Sequence, residues 1–396
     1  MAYVEDRIVH DADSHLMELD DCLDPWFDKA SLQAFHDLPA FRRKTAGDAW
    51  KPKVRAQHDD PSFRAEAPGA ILTRKNYEAM GAFRKEDRPR ALDLLGFASQ
   101  LVFTTFSLGN FGLDESGPAP LAHAAARAHN RMMTDFCSVD RRLLATAYVP
   151  LDDFEAAAAT AKDAIALGAK ALLVPSRCPA AHSPSHVAFD PVWAMAQEAG
   201  IPILFHVGGE TKLEPAYFEN GMPRVKDFHG GEENFTSVSF MAIPGSVMQT
   251  LSAMIIDGVF DRFPRLKFGA IELGASWLPG WMRFMDSAHA AFYKTEERLH
   301  RLSAPPSEIV RRQLRVTPYP HEDAGWILRE AGPTTCLFSS DYPHVEGGRN
   351  PLKRFDDSLA RSTPAEKDAF YAGNFIDLMG EGLAANLRRP ALAYAD

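Results

Sequence analysis

Short apolar runs alternate with amphipathic stretches along most of the chain. Eight runs read as strands: residues 7–13, 100–105, 144–149, 170–174, 203–206, 267–272, 315–317 and 335–340. Most are brief, apolar and bounded by Gly, Pro or polar residues, the mark of buried strands. Between them helical spacing takes over. Residues 153–167 (DFEAAAATAKDAIAL) are rich in Ala, and Gly168 stops them. Residues 191–199 (PVWAMAQEA) open with Pro at a first helical position and end before Gly200. Strands that alternate with helices imply βαβ units with parallel strands, and eight units imply a closed (β/α)8 TIM barrel of class α/β. No GxGxxG follows the first strand, which removes the main open-sheet alternative.

Two connections exceed simple βα loops. One spans about residues 16–98, with a Pro-containing stretch at 44–68 and a charged one at 84–90. The other spans about 207–235 and is rich in Gly and aromatics. Both follow a strand, so in a barrel both lie on the C-terminal face and wall the pocket. Residues 1–382 are expected to form a single domain, with 383–396 as a peripheral tail.

Composition narrows the function classes. The 396 residues are 46% apolar, enough for a large core. A net charge of −10 argues against nucleic acid and against an anionic membrane surface. The N-terminus has no basic stretch followed by an apolar one, so no signal peptide is expected. No run of about 18 uncharged apolar residues is recognised, so no membrane partner is expected. The four cysteines form no CxxC pair and fit a reducing, cytoplasmic setting.

Polar residues gather at the predicted strand ends. The stretch DADSHLME brings Asp13, His15 and Glu18; the fifth strand ends in His206, the sixth in Glu272, and SSDYPH supplies Asp341 and His344. Asp13 and His15 are two apart and share a face. Imidazole with carboxylate suits Zn²⁺, Mn²⁺ or Fe²⁺, and a divalent ion offsets the cost of burying several carboxylates together. Singly each signal is weak: a D-x-H pair is commonly a turn, and a His after ILF is commonly a satisfied core residue. Three independent strand ends together point to one or two bound metal ions. Glu18, Glu272 and His229 extend the donor list, and Asp11 is set aside as outward-facing or structural.

The strand followed by DADSHLME, the stretch GIPILFHVGG and the stretch SSDYPH resemble the amidohydrolase-related family, in its aminocarboxymuconate-semialdehyde decarboxylase-like branch. Further matches are LGAKALLVP, DPVWAMAQEAGIPI and AGNFIDLMG, so the resemblance covers nearly the whole chain. It implies a barrel carrying a metal on Asp13, His15, His206 and Asp341, and a homodimer. Where the decarboxylase-like members carry a catalytic His on the sixth strand, this chain has Glu272, within an E-x-G-x-x-W pattern ending at Trp277. An ordinary Glu is too acidic to protonate carbon readily at neutral pH, which weakens decarboxylation.

Three reactions on a small-molecule substrate follow. Metal-assisted hydrolysis comes first, with Asp341 holding or deprotonating water and His344 assisting. The carboxylate-rich set also suits a non-haem iron or di-iron monooxygenase. Non-oxidative decarboxylation is the third. A binding protein with an inert metal fits poorly with so many ionisable groups on one rim. Trp26, Phe27, Trp50, Phe106, Phe111, Tyr217, Phe218, Phe228, Phe235 and Trp277 suggest a bulky or ring-containing substrate, and Arg74, Lys75, Arg177, Arg224 or Lys226 could pair with a carboxylate or a thioester's phosphates.

Overall fold

The computed structural model describes residues 2–19, 21–38, 51–108, 119–208, 213–228 and 235–388. Seven strands form one sheet in chain order: β1 (His10–Leu16), β2 (Ser99–Thr104), β3 (Leu143–Tyr148), β4 (Ala171–Leu173), β5 (Ile203–His206), β6 (Phe268–Ile271) and β7 (Leu314–Val316). Each adjacent pair is parallel. Parallel neighbours need crossovers, and helices supply them: Ala119–Cys137, Phe154–Ala166, Asp190–Ala199, Pro244–Ile256, Leu278–Phe292 and Ala324–Ala331 follow β2 to β7 in turn. Asp153 caps Phe154–Ala166 by accepting from the Ala156 amide, and Gly200 ends Asp190–Ala199 at φ 65°.

The eighth expected strand is not a regular one. Its segment, 335–342, makes a single bridge to β7 (Val316 with Cys336) and another to β1 (Ser14 with Tyr342). The Asp11 carboxylate explains the break, because it takes the place of a backbone acceptor. It accepts from the Ser340 amide at 2.8 Å, Ser340 Oγ at 2.6 Å and Gln100 Nε2 at 2.8 Å. The Phe338 amide turns away to the Phe370 carbonyl. Asp11 is therefore structural and fully buried, the second of the two roles the sequence leaves open, and does not face outward. Burial pushes its carboxyl up to about 7, against the pull of the Ser340 and Gln100 bonds. Asp11→Ala would leave those donors unpaired; we predict a loss of about 2–3 kcal/mol in urea unfolding. A loss below about 0.5 kcal/mol, the usual range for surface changes, would show that this bond network does not fasten the segment.

The 16–98 connection is not a bare loop. It carries the short helices Lys29–His36, Lys51–Asp59, Pro61–Glu66 and Arg88–Leu95. One composition argument also needs correction. Ser237–Ile256 runs 20 residues at mean hydropathy 1.4, long and apolar enough by composition to cross a membrane. Its Val247, Leu251, Met254 and Ile255 are buried in the core, as in an outer-layer helix packed on a sheet.

Candidate metal centre

In a parallel sheet all strand C-termini share one rim, and that rim gathers the donors. Asp13 and His15 lie in the C-terminal half of β1, His206 ends β5, Glu272 follows β6, Asp341 lies near the end of the bridging segment and His344 just beyond it. His15 Nε2 is the hub. It stands 3.1 Å from Asp13 Oδ1, 3.4 Å from Asp341 Oδ1 and 3.5 Å from Glu272 Oε2. His206 Nε2 is 3.3 Å from both Asp13 Oδ1 and Glu272 Oε2. His344 Nδ1 is 2.8 Å from Asp341 Oδ1, and its ring stacks on His15 at 3.9 Å between centroids. Two overlapping donor groups result: Asp13, His15, His206 and Glu272; and His15, Glu272, Asp341 and His344. Within each group the donor atoms all lie within 4.8 Å of one another.

Hydrogen-bond accounting says what this cluster needs. His15 Nδ1 lies 3.0 Å from the Thr104 carbonyl, and His206 Nδ1 lies 2.9 Å from the Val207 carbonyl. Carbonyls only accept, so each neutral ring spends its one N–H there and turns an Nε2 lone pair inward. Thr105 Oγ1 gives its proton to the Leu16 carbonyl at 2.7 Å, and so accepts from His344 Nε2 at 3.0 Å. That leaves the His344 Nδ1 lone pair facing Asp341. Three nitrogen lone pairs and three carboxylates thus converge. His15 Nε2 and both Asp341 oxygens have no hydrogen-bond partner although they are buried. A divalent cation held by the second group would satisfy both His15 Nε2 and Asp341, and one held by the first would satisfy His15 Nε2, so the donor set fits a metal. Without it, protons are the only remedy. Burial opposes charge on His15, but Asp13 and Asp341 outweigh it and raise the imidazole pKa. Burial, with Asp341 and Asp13 adding to it, pushes the Glu272 carboxyl well above the usual range.

The backbone is bent to aim these groups. Glu272 and Asp341 both take left-handed φ values, 54° and 53°. Side-chain-bearing residues rarely adopt this geometry, at a cost of order 1–2 kcal/mol each. Fixed partners hold it. Thr317 Oγ1 accepts from the Glu272 amide at 2.8 Å, and Tyr319 OH donates to the Glu272 carbonyl at 2.7 Å. The Asp341 amide donates to the Asp13 carbonyl at 2.9 Å. Gly347 lies so close that a Cβ there would stand 2.0 Å from the Ser340 carbonyl oxygen.

Glu18 does not join the donors. Its buried carboxylate accepts from the Thr105 and Phe106 amides at 2.9 and 3.1 Å, from Ser107 Oγ at 2.8 Å and from Thr104 Oγ1. It anchors the turn after β2, so the expectation of Glu18 as a metal ligand is corrected to a loop anchor. His229 lies outside the described residues, as do Trp50 and Phe111. The aromatic wall also departs from expectation, since Tyr217 and Phe228 are exposed. A cleft of about 250 Å³ opens on Asp13, Glu272 and Asp341, walled by 317–320 (TPYP), Ser339, Glu346 and Gly347. Tyr319 and Thr317 escaped the sequence reading, though their place just past β7 was a usable signal. Arg88 escaped it too: fully buried, it donates to the His15 carbonyl at 3.0 Å and lies 5.2 Å from the Tyr342 ring centroid.

Fold and donors together define a metal-dependent α/β enzyme with its site on the strand C-termini. The chain belongs to the amidohydrolase family, whose sequence model matches residues 74–378. A search of curated proteins gives no significant sequence match. Among solved structures, an amidohydrolase from Mycobacterium avium subsp. paratuberculosis K-10 superposes with TM-score 0.71 at 22% identity, over 95% of this chain and 100% of that one. The 5-carboxyvanillate decarboxylase of Sphingomonas paucimobilis gives 0.59 at 17%, over 94% and 98%. A dihydroxybenzoic acid decarboxylase from Polaromonas sp. JS666, solved with manganese and 2-nitroresorcinol, gives 0.59 at 16%, over 94% and 96%.

Proposed function

We propose that this chain is a metal-dependent lyase that removes carbon dioxide, without an oxidant, from a carboxylated ring compound. The observation that carries the metal dependence is the convergence of three inward imidazole nitrogens and three carboxylates, with His15 Nε2 and Asp341 unpaired. The reaction class draws on the likeness to two ring-carboxylate decarboxylases, one of them holding manganese. Hydrolysis, the first expectation from sequence, therefore ranks below it.

A divalent cation held by Asp13, His15, His206 and Glu272, or by the group that includes Asp341, would supply positive charge for a substrate carboxylate. The protein does the rest. The bond from ring carbon to carboxylate breaks, its electron pair stays on the ring carbon, and a proton must reach that carbon as carbon dioxide leaves. Asp341 lines the cleft, and His344, 2.8 Å behind it and fixed by Thr105, is placed to share and relay that proton through the Asp341 carboxylate. Tyr319 and the 317–320 wall offer the ring an apolar face.

A second reading rests on charge. Three carboxylates against one divalent ion leave a net −1 that repels an anionic substrate; two ions leave +1. Glu272 belongs to both donor groups, and its two carboxylate oxygens could serve two ions, whereas His15 has one inward lone pair and would serve one. Two irons would bring oxygen chemistry within reach. Elemental analysis with a carbon dioxide release assay separates the readings. The lyase predicts about one manganese or zinc per chain, carbon dioxide from 5-carboxyvanillate or a dihydroxybenzoic acid, and loss of turnover on chelation. About two irons per chain with oxygen consumed during turnover would replace it with the oxygenase.

A further inference from the structure

We infer that Lys75 binds a second anionic group on the substrate, so that the substrate is at least a dianion. This rests on the reading above that a carboxylated molecule occupies the metal centre. Five cations were candidates for such a role from sequence, and the structure separates them. Arg74 is committed elsewhere: it donates to the Phe63 carbonyl at 2.6 Å, pairs with Glu66 and lies over the Phe63 ring at 3.7 Å. Arg224 pairs with Glu219 in solvent, and Lys226 is exposed. Arg177 also has interaction partners and is not free.

Lys75 differs in position and in need. The next residue, Asn76, donates its amide to the Pro343 carbonyl at 2.8 Å, and Tyr77 OH donates to the Glu18 carbonyl at 2.9 Å. The segment is thereby tied to the chain just past β1 and to the stretch carrying Asp341 and His344, two of the four stretches that surround the donors. Asn76 sits at φ 51°, a turn that fixes where Lys75 leaves the backbone. The side chain is half-buried, and burial lowers the ammonium pKa. The charges that act on it are Asp341 and Glu346, which favour it, and Arg349, which opposes it. Among the described residues no carboxylate lies within ion-pair distance of it. An ammonium partly withdrawn from water near a metal site, with no carboxylate partner among the described residues, is a place where a bound anion gains a charge-assisted bond. A cation on this rim also offsets the excess negative charge that an anionic substrate would meet.

The test uses the manganese-loaded full chain and isothermal titration with benzoate and the benzene-1,2-, 1,3- and 1,4-dicarboxylates. Wild type should bind at least one dicarboxylate about tenfold tighter than benzoate, the gain of one partly buried charge-assisted bond. In Lys75→Met that ratio should fall to about one, and Lys75→Arg should keep part of it. Manganese content verifies that each variant is folded, with Lys75→Gln replacing Lys75→Met if the latter aggregates. The inference is overturned if wild type prefers no dicarboxylate, or if the neutral variant keeps the preference. A charge preference lost with Lys75 while no substrate releases carbon dioxide would sink the lyase reading and leave this inference standing.

Discussion

His15→Ala is expected to empty the metal centre and lower turnover by roughly 10³-fold or more, the several kcal/mol that a bound ion contributes at 1.36 kcal/mol per tenfold. His15 is the imidazole that reaches all three carboxylates, with Asp13, Asp341 and Glu272 within 3.5 Å. Its Nδ1 is fastened to the Thr104 carbonyl and its own carbonyl to Arg88, so its Nε2 is held facing the carboxylates. Alanine also removes the one base standing between three carboxylates, so the metal-free variant must take up protons to stay neutral there. Elemental analysis of the purified variant should find less than about a tenth of the wild-type metal. Near-stoichiometric metal together with wild-type turnover would show that this cluster is not the metal centre.

What the sequence made legible follows from where its patterns are locally determined. β5 was bounded at residues 203–206 because an apolar run, closed by Pro202 before it and Gly208 after it, has little freedom to be read otherwise. Its terminal His206 therefore fell at the right rim. β1 was placed at 7–13 and in fact runs His10–Leu16. The polar string DADSHL looked like the exit from a strand, yet every residue of it is buried. Tertiary partners reverse the local preference: Asp11 takes Ser340 and Gln100, Ser14 Oγ takes the Leu101 carbonyl at 2.6 Å, and Asp13 and His15 form the site. The same long-range contacts explain the irregular 335–342 segment. A side-chain carboxylate inserted into a backbone ladder leaves no periodic trace in a sequence. Glu18 was undecidable for a similar reason. The four groups that claim it lie at 104–107, more than eighty residues away in the chain.

Glu272→Gln is the second substitution expected to have a large effect. The change keeps the volume and one oxygen while removing the charge, so a fall in metal affinity of about 10–100-fold measures electrostatics rather than packing. Glu272 Oε2 lies 3.5 and 3.3 Å from the inward nitrogens of His15 and His206, and burial with Asp341 and Asp13 nearby raises its carboxyl pKa and so favours the protonated form. A cation reverses that preference, so binding must expel the proton, and in the wild type affinity should rise with pH until Glu272 ionises. Glutamine has no proton to expel; its affinity should be lower throughout and flatter with pH. Glu272→His supplies the converse. The left-handed backbone at this position tolerates imidazole better than most side chains, and the substitution restores the residue type that the decarboxylase-like relatives are expected to carry there. Under the lyase reading Glu272→His should keep about one ion per chain and release carbon dioxide faster than Glu272→Gln. If iron instead falls from about two per chain to one in both variants and oxygen uptake stops, Glu272 lies between two ions and the chemistry is oxidative. Full metal and full turnover in Glu272→Gln would reduce the residue to a strained corner of the fold.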